Sequence, residues 1–310
     1  MDIINRCIDD NINICSKLDN EMDEILDAKK NDVRDILVLS GGGRKVGIHA
    51  GALKALDKLD MLRHIKIISG TSVGAIVGLL YSVGYSIDQL YVICSELSPT
   101  HLKSNESRNI IFDYGMDSGK NFWLIYGKLI EIKGFKRDIT FKEHYNKSGI
   151  KLIMTGSCLN DKKCYYFSKD TFPDMKVIEA LRITASIPGA FVPHKFEGKY
   201  FIDGGCTENY PIRKFRYCKE RVVGIYLLDM YDEYTDINNF EEFIFCILGT
   251  MLRGLETNCY YGYEECSVIV KPGKLETAFT TYGVNVSKSE INRLCELGYS
   301  EVMKKYSTSS

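Results

Sequence analysis

The chain has 310 residues, of which 45% are hydrophobic and 26% are charged, a balance typical of a globular protein. The 40 Lys and Arg residues against 41 Asp and Glu residues leave a formal net charge of -1, which excludes an overall basic field of the kind that attracts nucleic acids. The 11 cysteines include no CxxC pair, which argues against a structural zinc or other metal site.

The first 34 residues are polar and charged, and their apolar positions follow a helical spacing at Ile14, Leu18, Met22, Ile25 and Leu26. We therefore predict an N-terminal helical extension over residues 1–34. No basic stretch followed by an apolar core, as in a secretory signal, is present there. The longest apolar run, near Phe243–Leu252, is shorter than the roughly 20 residues that span a bilayer. These patterns predict a soluble, cytoplasmic protein with free thiols.

From Asp35 onward, short apolar runs alternate with helical periodicity. DILVLS and HIKIIS suit strands that are buried on both faces, and a helical pattern follows each of them. This βαβα order predicts an α/β fold with a mainly parallel sheet. Right-handed crossovers then place both strand-to-helix turns at the carboxyl edge of the sheet, where such folds have their sites. Later strand candidates are GIKLIMTGSCL, KCYYFS, KYFIDGG, RVVGIYLL and CSVIV.

The second strand-to-helix turn contains the G-x-S-x-G sequence Gly70-Thr71-Ser72-Val73-Gly74. A nucleophile on such a turn has a strained backbone, and the glycines on both sides relieve clashes with neighbouring chain. The following helix offers N–H groups and a positive dipole end that favour a developing oxyanion. The setting predicts Ser72 as a nucleophile, although a serine that only caps the helix would occupy the same position.

The first turn contains three glycines and two basic residues: Ser40, Gly41, Gly42, Gly43, Arg44 and Lys45. Consecutive glycines let several N–H groups converge on one anion. A phosphate loop is disfavoured because Ile48 follows Gly47, and a dinucleotide motif fails because Val46 occupies its last glycine position. The favoured interpretation is an oxyanion hole for the serine on the neighbouring turn.

Activation of Ser72 requires a base. The histidines stand at positions 49, 64, 101, 144 and 194, and only His194 suits the order of an α/β-hydrolase triad, while His49 and His64 look like packing residues. Asp203, followed by Gly204 and Gly205, ends the strand KYFID and offers a different partner. Burial near Ser72 would raise its proton affinity enough for a general base, whereas an ordinary turn aspartate would look the same.

GGGRK on the first turn, GTSVG on the second and DGG at a later strand end, in this order, resemble the patatin-like phospholipases. ASIPGAFVP at 185–193, the DGGCTENYP run and the GALKAL helix also fit that pattern. The resemblance covers about residues 35–216, which we expect to form the patatin-like core, and residues 217–310 are expected to add strands and helices to the same α/β domain.

The resemblance implies a three-layer α/β/α sandwich and a Ser–Asp dyad without histidine, acting on acyl lipids without calcium or another cofactor. Ser72 would attack the ester carbonyl and Asp203 would accept its proton. The N–H groups of Gly42, Gly43 and Arg44 would hold the oxyanion, and water would release the fatty acid from the acyl-enzyme.

The implied substrate is a phospholipid or lysophospholipid, reached by transient contact with a membrane surface. A triacylglycerol lipase, a transacylase and a non-catalytic lipid-binding protein remain alternatives.

Lys45 would hold the shape of the glycine loop, attract a lipid phosphate or be solvated. Val46 stands where the family usually has glycine, and it would strain the turn if that position required a positive φ. The apolar helices at Phe122–Tyr126 and Phe243–Leu252 are candidates for lipid contact, but we expect both to belong to the core.

Overall fold

The computed structural model describes residues 33–97, 99–104, 106, 110–228, 237–256, 259–273 and 287–307. The helical extension predicted for residues 1–34 therefore lies outside the described residues, except for its last two positions.

The described chain alternates strands and helices. Its strands are β1 (Ile36–Leu39), β2 (Ile67–Gly70), β3 (Gly115–Asp117), β4 (Lys151–Cys158), β5 (Lys163–Ser168), β6 (Gly189–Phe191), β7 (His194–Phe196), β8 (Lys199–Asp203), β9 (Val222–Leu227) and β10 (Ser267–Val270). Its α-helices are α1 (Val46–Lys58), α2 (Val73–Ser82), α3 (Ile87–Glu96), α4 (Pro99–Leu102), α5 (Ile110–Asp113), α6 (Lys120–Ile132), α7 (Phe141–Ser148), α8 (Val177–Thr184), α9 (Gly205–Glu208), α10 (Phe240–Glu256) and α11 (Lys288–Tyr306). Short 3-10 helices cover Gly43–Lys45, Pro211–Phe215 and Lys219–Arg221.

The main sheet has the strand order β10-β9-β1-β2-β4-β8-β7, and β5 pairs with β4 in addition. The strands from β10 to β4 run parallel, whereas β5 and β8 are antiparallel to β4. Both faces of the sheet are covered, since Leu37 and Leu39 of β1 face one apolar cluster and Ile36 and Val38 face another. The predicted three-layer α/β/α fold with a mainly parallel sheet is confirmed.

The strand register brings the ends of β2 and β8 together. Gly70 at the end of β2 pairs with Met154, and Asp203 at the end of β8 pairs with Gly156, two residues further along β4. Strand β5 pairs along one edge of β4, so β2 and β8 both pair with the other edge. Because β2 runs parallel to β4 and β8 runs antiparallel to it, the carboxyl ends of β2 and β8 face each other. Asp203 therefore lies just beyond the carboxyl end of β2, although β8 runs in the opposite direction to the parallel strands.

Helix α11 lies on α1 with their backbones in contact. A Cβ atom added to Gly51 of α1 would stand 1.9 Å from the carbonyl oxygen of Cys295 in α11. A Cβ atom on Gly298 of α11 would stand 2.1 Å from the carbonyl oxygen of Ile48. Glycine on both helices thus permits this approach, which supports the helix that follows the glycine loop.

The two apolar helices differ in burial. In α6, Phe122 and Tyr126 are buried, as expected of a core helix, whereas Leu124 between them is exposed. In α10, Leu252 is buried, but a stripe of large apolar side chains faces outward: Phe240, Phe243, Ile247, Met251 and Leu255. The expectation that α10 belongs wholly to the core is therefore wrong. Among the helices that the structure describes, none combines the length and apolar character needed to span a membrane.

Candidate active site

Ser72 lies on a sharp turn between β2 and α2. Its backbone has φ 50° and ψ -122°, a conformation that non-glycine residues rarely adopt. The flanking glycines are required by close approach: a Cβ on Gly70 would stand 2.6 Å from the backbone nitrogen of Ala75, and one on Gly74 would stand 2.5 Å from the carbonyl oxygen of Leu39. This strained turn presents the Ser72 side chain at the carboxyl end of β2.

Asp203 is buried beside the serine. The backbone N–H of Gly205 donates a hydrogen bond to its Oδ1 at 2.7 Å, and the Ser72 hydroxyl is near enough to favour the ionised carboxylate. Burial raises the pKa of Asp203 to about 7, and the Gly205 N–H and the Ser72 hydroxyl oppose part of that rise. A carboxylate with this pKa is suited to accept a proton near neutral pH. Gly204 and Gly205 form the first turn of α9 directly behind it.

The glycine loop lies against the serine turn. The N–H of Gly41 donates to the carbonyl oxygen of Asn209 at 2.9 Å, and a Cβ on Gly41 would stand 3.5 Å from the Cβ of Ser72. Gly43 has φ 52°, in the left-handed region that favours glycine. The two turns that the sequence predicted to meet at the carboxyl edge are therefore neighbours.

The N–H groups of Ser72 and Gly74 already have acceptors. The N–H of Ser72 donates to Oγ1 of Thr184 at 2.9 Å, and the N–H of Gly74 donates to the carbonyl oxygen of Thr71 at 2.9 Å. Gly42 and Gly43 begin the helical stretch that continues into α1, and the first N–H groups of a helix point out of its N-terminal end. The start of the glycine loop is thus a candidate source of donors for an anion beside Ser72.

Val46 does not strain the loop. Its φ of -52° and ψ of -32° are right-handed helical, a conformation that valine readily adopts. Lys45, the preceding residue, is 3% exposed, so its interpretation as a solvated lysine is wrong. Valine at position 46, where the family usually has glycine, is therefore compatible with the geometry of the glycine loop.

His49 and His194 have partners other than Ser72. His49 is fully buried in α1 and its Nε2–H donates to the carbonyl oxygen of Ser40 at 2.8 Å, while burial lowers the pKa of His49 to about 4. His194 in β7 is hydrogen-bonded through Nε2 to Glu179 at 2.9 Å. His64 is exposed, which corrects the expectation that it packs in the core. Within the described residues, no three His, Cys, Asp or Glu side chains are grouped so that they could hold a metal ion.

Sequence reasoning missed three polar residues at this site. Thr184 accepts from the backbone of Ser72, and the carbonyl oxygen of Ser186 accepts the Asp203 N–H at 2.8 Å. The side-chain oxygen of Asn209 lies against the glycine loop, 2.2 Å from where a Cβ on Gly41 would be. Asn209 and Ser186 fall within the DGGCTENYP and ASIPGAFVP motifs, which was the available signal, whereas Thr184 precedes the second motif.

Comparison with known proteins gives a consistent result. A model of the patatin-like phospholipase family matches residues 37–216. A probable lipid hydrolase of Invertebrate iridescent virus 6 is 32% identical over 182 residues, which are 57% of this chain and 61% of that protein. An uncharacterized protein of Acanthamoeba polyphaga mimivirus is 32% identical over 229 residues, 70% of this chain and 75% of that protein. The alignment thus spans less than two thirds of the iridescent virus protein.

A solved structure agrees in fold. The crystal structure of VipD from Legionella pneumophila matches with a TM-score of 0.61 and 16% sequence identity, covering 89% of this chain and 67% of that chain. The matched family range covers more than half of the present sequence and includes the glycine loop, the Ser72 turn and Asp203. The chain belongs to the patatin-like phospholipase family.

Proposed function

We propose that this protein is a calcium-independent lipid acyl hydrolase that cleaves fatty acyl esters of phospholipids or lysophospholipids, with Ser72 as nucleophile and Asp203 as general base. The observation that carries the proposal is the buried carboxylate of Asp203 at the Ser72 turn, whose pKa is raised by burial to about 7 and lowered in part by the Ser72 hydroxyl. Membership of a lipid-hydrolase family supports acyl lipids as the substrate class.

In the acylation step, Asp203 accepts the hydroxyl proton while Ser72 Oγ bonds to the ester carbonyl carbon. The carbonyl oxygen becomes an oxyanion, and the N–H groups of Gly42, Gly43 and Arg44 stabilise it. The carbon–oxygen bond to the alcohol then breaks, and the proton held by Asp203 passes to that leaving oxygen.

In the deacylation step, the ionised Asp203 accepts a proton from water, and the hydroxide oxygen attacks the acyl carbon. The oxyanion collapses, the bond to Ser72 Oγ breaks, and the serine recovers its proton from Asp203. The products are a free fatty acid and the lipid alcohol, so each turnover consumes one water molecule and leaves the protein unchanged.

We further propose that the outward stripe of α10 docks on the lipid surface that holds the substrate. The stripe comprises Phe240, Phe243, Ile247, Met251 and Leu255, which repeat every three or four residues along one side of the helix. Helix α10 packs against α9, the turn directly behind Asp203, and against β6. An apolar surface beside a site for acyl lipids is suited to shallow contact with a bilayer.

The proposed chemistry is tested with mixed vesicles of phosphatidylcholine, lysophosphatidylcholine and triacylglycerol in EDTA. We compare wild type with Ser72→Ala and Asp203→Asn, and use Ser300→Ala and Asp138→Asn as matched surface controls. Fatty acid released by wild type and the controls, and lost in both site variants, is the expected result. Release from triacylglycerol alone would reject the phospholipid substrate, and release that requires calcium would reject calcium independence.

Labelling by a fluorophosphonate separates an enzyme from a non-catalytic lipid-binding protein, because the reagent modifies an activated serine. We expect labelling of wild type and none of Ser72→Ala. A folded wild type that is neither labelled nor able to release fatty acid would reject the enzymatic proposal.

Docking is tested separately by sedimentation with phosphatidylcholine vesicles. The double variant Ile247→Ser, Met251→Ser is expected to weaken vesicle binding by at least about tenfold, since burying one large apolar side chain contributes about 1.5–3 kcal/mol. Val92→Ser, which changes another exposed apolar residue on α3, is the matched control. Vesicle binding that is the same in both variants would reject α10 as the docking surface.

A further inference from the structure

The end of α8 contacts the backbone of both proposed dyad residues. The Ser72 N–H donates to Oγ1 of Thr184 at 2.9 Å. Two residues later, the carbonyl oxygen of Ser186 accepts the Asp203 N–H at 2.8 Å. Thr184 and Ser186 are both fully buried, so these bonds form away from water. One short segment therefore holds the nucleophile and the acid at the same time.

The segment from Thr184 to Ser186 is fixed by contacts with Arg182. The buried guanidinium of Arg182 donates to Oγ of Ser186 and to the carbonyl oxygen of Val192 at 3.0 Å, and it lies over the ring of Phe191 at 4.6 Å. In return, Oγ of Ser186 donates to the carbonyl oxygen of Arg182 at 2.7 Å. These contacts fix the position of the segment relative to the neighbouring loop.

The end of α8 packs on β4 at the position where β4 pairs with Asp203. A Cβ on Gly156 of β4 would stand 2.6 Å from a methyl carbon of Ile183, so α8 lies directly over that position. Gly156 is also the residue that pairs with Asp203. The segment thus lies at the register position where the ends of β2 and β8 meet.

The Ser72 turn needs such support. A non-glycine residue at positive φ costs about 1–3 kcal/mol and persists only where the surroundings hold it. Of the two backbone polar groups of Ser72, the carbonyl oxygen accepts from Ile76 within the α2 turn at 3.1 Å. The N–H is held by a side chain from a distant part of the sequence, Thr184, so the hydroxyl oxygen of Thr184 is suited to set the orientation of the serine.

We propose that Thr184 is a positioning residue for the acyl transfer, whose hydroxyl oxygen holds the Ser72 backbone so that Oγ stays directed at Asp203. The role rests on the proposed function, because it concerns the same dyad. Thr184 is fully buried and acts through Ser72 rather than on the substrate.

The decisive variant is Thr184→Val, which keeps the branched shape and removes the acceptor. The Ser72 N–H is then left without its partner, and the turn relaxes away from the strained conformation. A displacement of the nucleophile by about 1 Å lowers kcat by up to about a hundredfold. KM is expected to change little. Thr184→Ser, which retains the oxygen, is expected to restore most of kcat.

The pH dependence of kcat is a second readout. If Thr184 only stabilised the fold, its replacement would not shift this pH dependence. The Ser72 hydroxyl lowers the pKa of Asp203 within a site where burial raises it. If Thr184→Val moves that hydroxyl away from Asp203, the acidic limb of the kcat profile moves to higher pH. Thr171→Val is the matched control, since Oγ1 of Thr171 accepts a backbone N–H from Ser168 at 3.0 Å at the end of β5.

The experiment measures kcat, KM and their pH dependence for fatty acid release from phosphatidylcholine vesicles, together with the rate of fluorophosphonate labelling. We expect Thr184→Val to lose about tenfold to a hundredfold in kcat and in labelling rate, with the acidic limb shifted upward, and Thr184→Ser and Thr171→Val to stay near wild type. Thr184→Ala replaces the valine variant if the latter does not fold.

Equal kcat for Thr184→Val and wild type, a loss confined to KM, or a Thr184→Ser variant as slow as Thr184→Val would overturn the positioning role. These outcomes differ from failure of the proposed function, in which folded wild type itself neither releases fatty acid nor reacts with the fluorophosphonate. That last result would overturn the proposed chemistry and the role of Thr184 with it.

Discussion

Replacing Asp203 by asparagine is expected to stabilise the protein at neutral and alkaline pH. In the folded chain, burial raises the pKa of Asp203 from 3.8 to about 7. Below about pH 4 the carboxyl is protonated in both states, so it does not change stability. Between about pH 4 and pH 7 the unfolded chain has released this proton while the folded chain still binds it, so the free energy of unfolding falls as the pH rises.

The expected magnitude follows from the two pKa values. Each pKa unit corresponds to about 1.4 kcal/mol, so the wild type loses about 4 kcal/mol across this window and no more above pH 7. Asparagine does not titrate, has nearly the same shape, and its side-chain oxygen can accept the Gly205 N–H. The stability gain of Asp203→Asn over wild type should therefore grow by about 1.4 kcal/mol per pH unit up to pH 7 and then level off.

Urea unfolding at pH 5, 6, 7 and 8 measures this gain directly. Asp138→Asn, an exposed aspartate outside the site, is the matched control and is expected to stay within about 0.5 kcal/mol of wild type at every pH. A difference between Asp203→Asn and wild type that does not vary with pH would refute the reasoning. So would a wild type that is the more stable protein at pH 8.

Three further outcomes are expected. For fatty acid release, kcat/KM should rise with pH to half its maximum near pH 7, because Asp203 accepts a proton only when ionised; a flat profile between pH 5 and 8 would contradict this. Gly51→Ala should lower the free energy of unfolding by about 1–3 kcal/mol, because its Cβ meets the α11 backbone, whereas Gly254→Ala, with open space around it, should not; equal thermal midpoints would contradict the packing. Arg221→Met should cost about 3–5 kcal/mol in urea unfolding, because it leaves Asp35 buried without the guanidinium that donates to it at 2.8 and 2.6 Å, and Asp35→Asn added to it should recover part of the loss.

Local patterns predicted the strands and the serine turn well. The apolar runs that became β1 and β2 are buried on both faces, as parallel strands require, and glycines on either side of Ser72 signalled a close approach that the structure contains. These features depend on residues within a few positions of one another, so a single sequence reveals them.

Long-range features were less accessible. The direction of β8, and hence the head-to-head meeting of Asp203 with β2, depends on how the chain between β4 and β8 folds back on itself, which no local periodicity encodes. Thr184 is 112 residues from Ser72 in the sequence and looks like an ordinary polar residue at the end of an apolar helix. For α10, apolar content predicted burial, but content alone does not distinguish a face covered by the protein from one left open.

The pairing of β9 with β1 has a consequence for any fragment of this protein. The matched family range ends at residue 216, yet β9 follows that point and forms the hydrogen-bonded neighbour of β1. The N–H of Leu227 in β9 also donates to Oγ of Ser40, just before the glycine loop, at 3.0 Å. A fragment cut at residue 216 would turn β1 into an apolar, unpaired edge, which invites strand exchange between molecules. Such a fragment would thus be prone to aggregation, and its glycine loop would lack the hydrogen bond from Leu227.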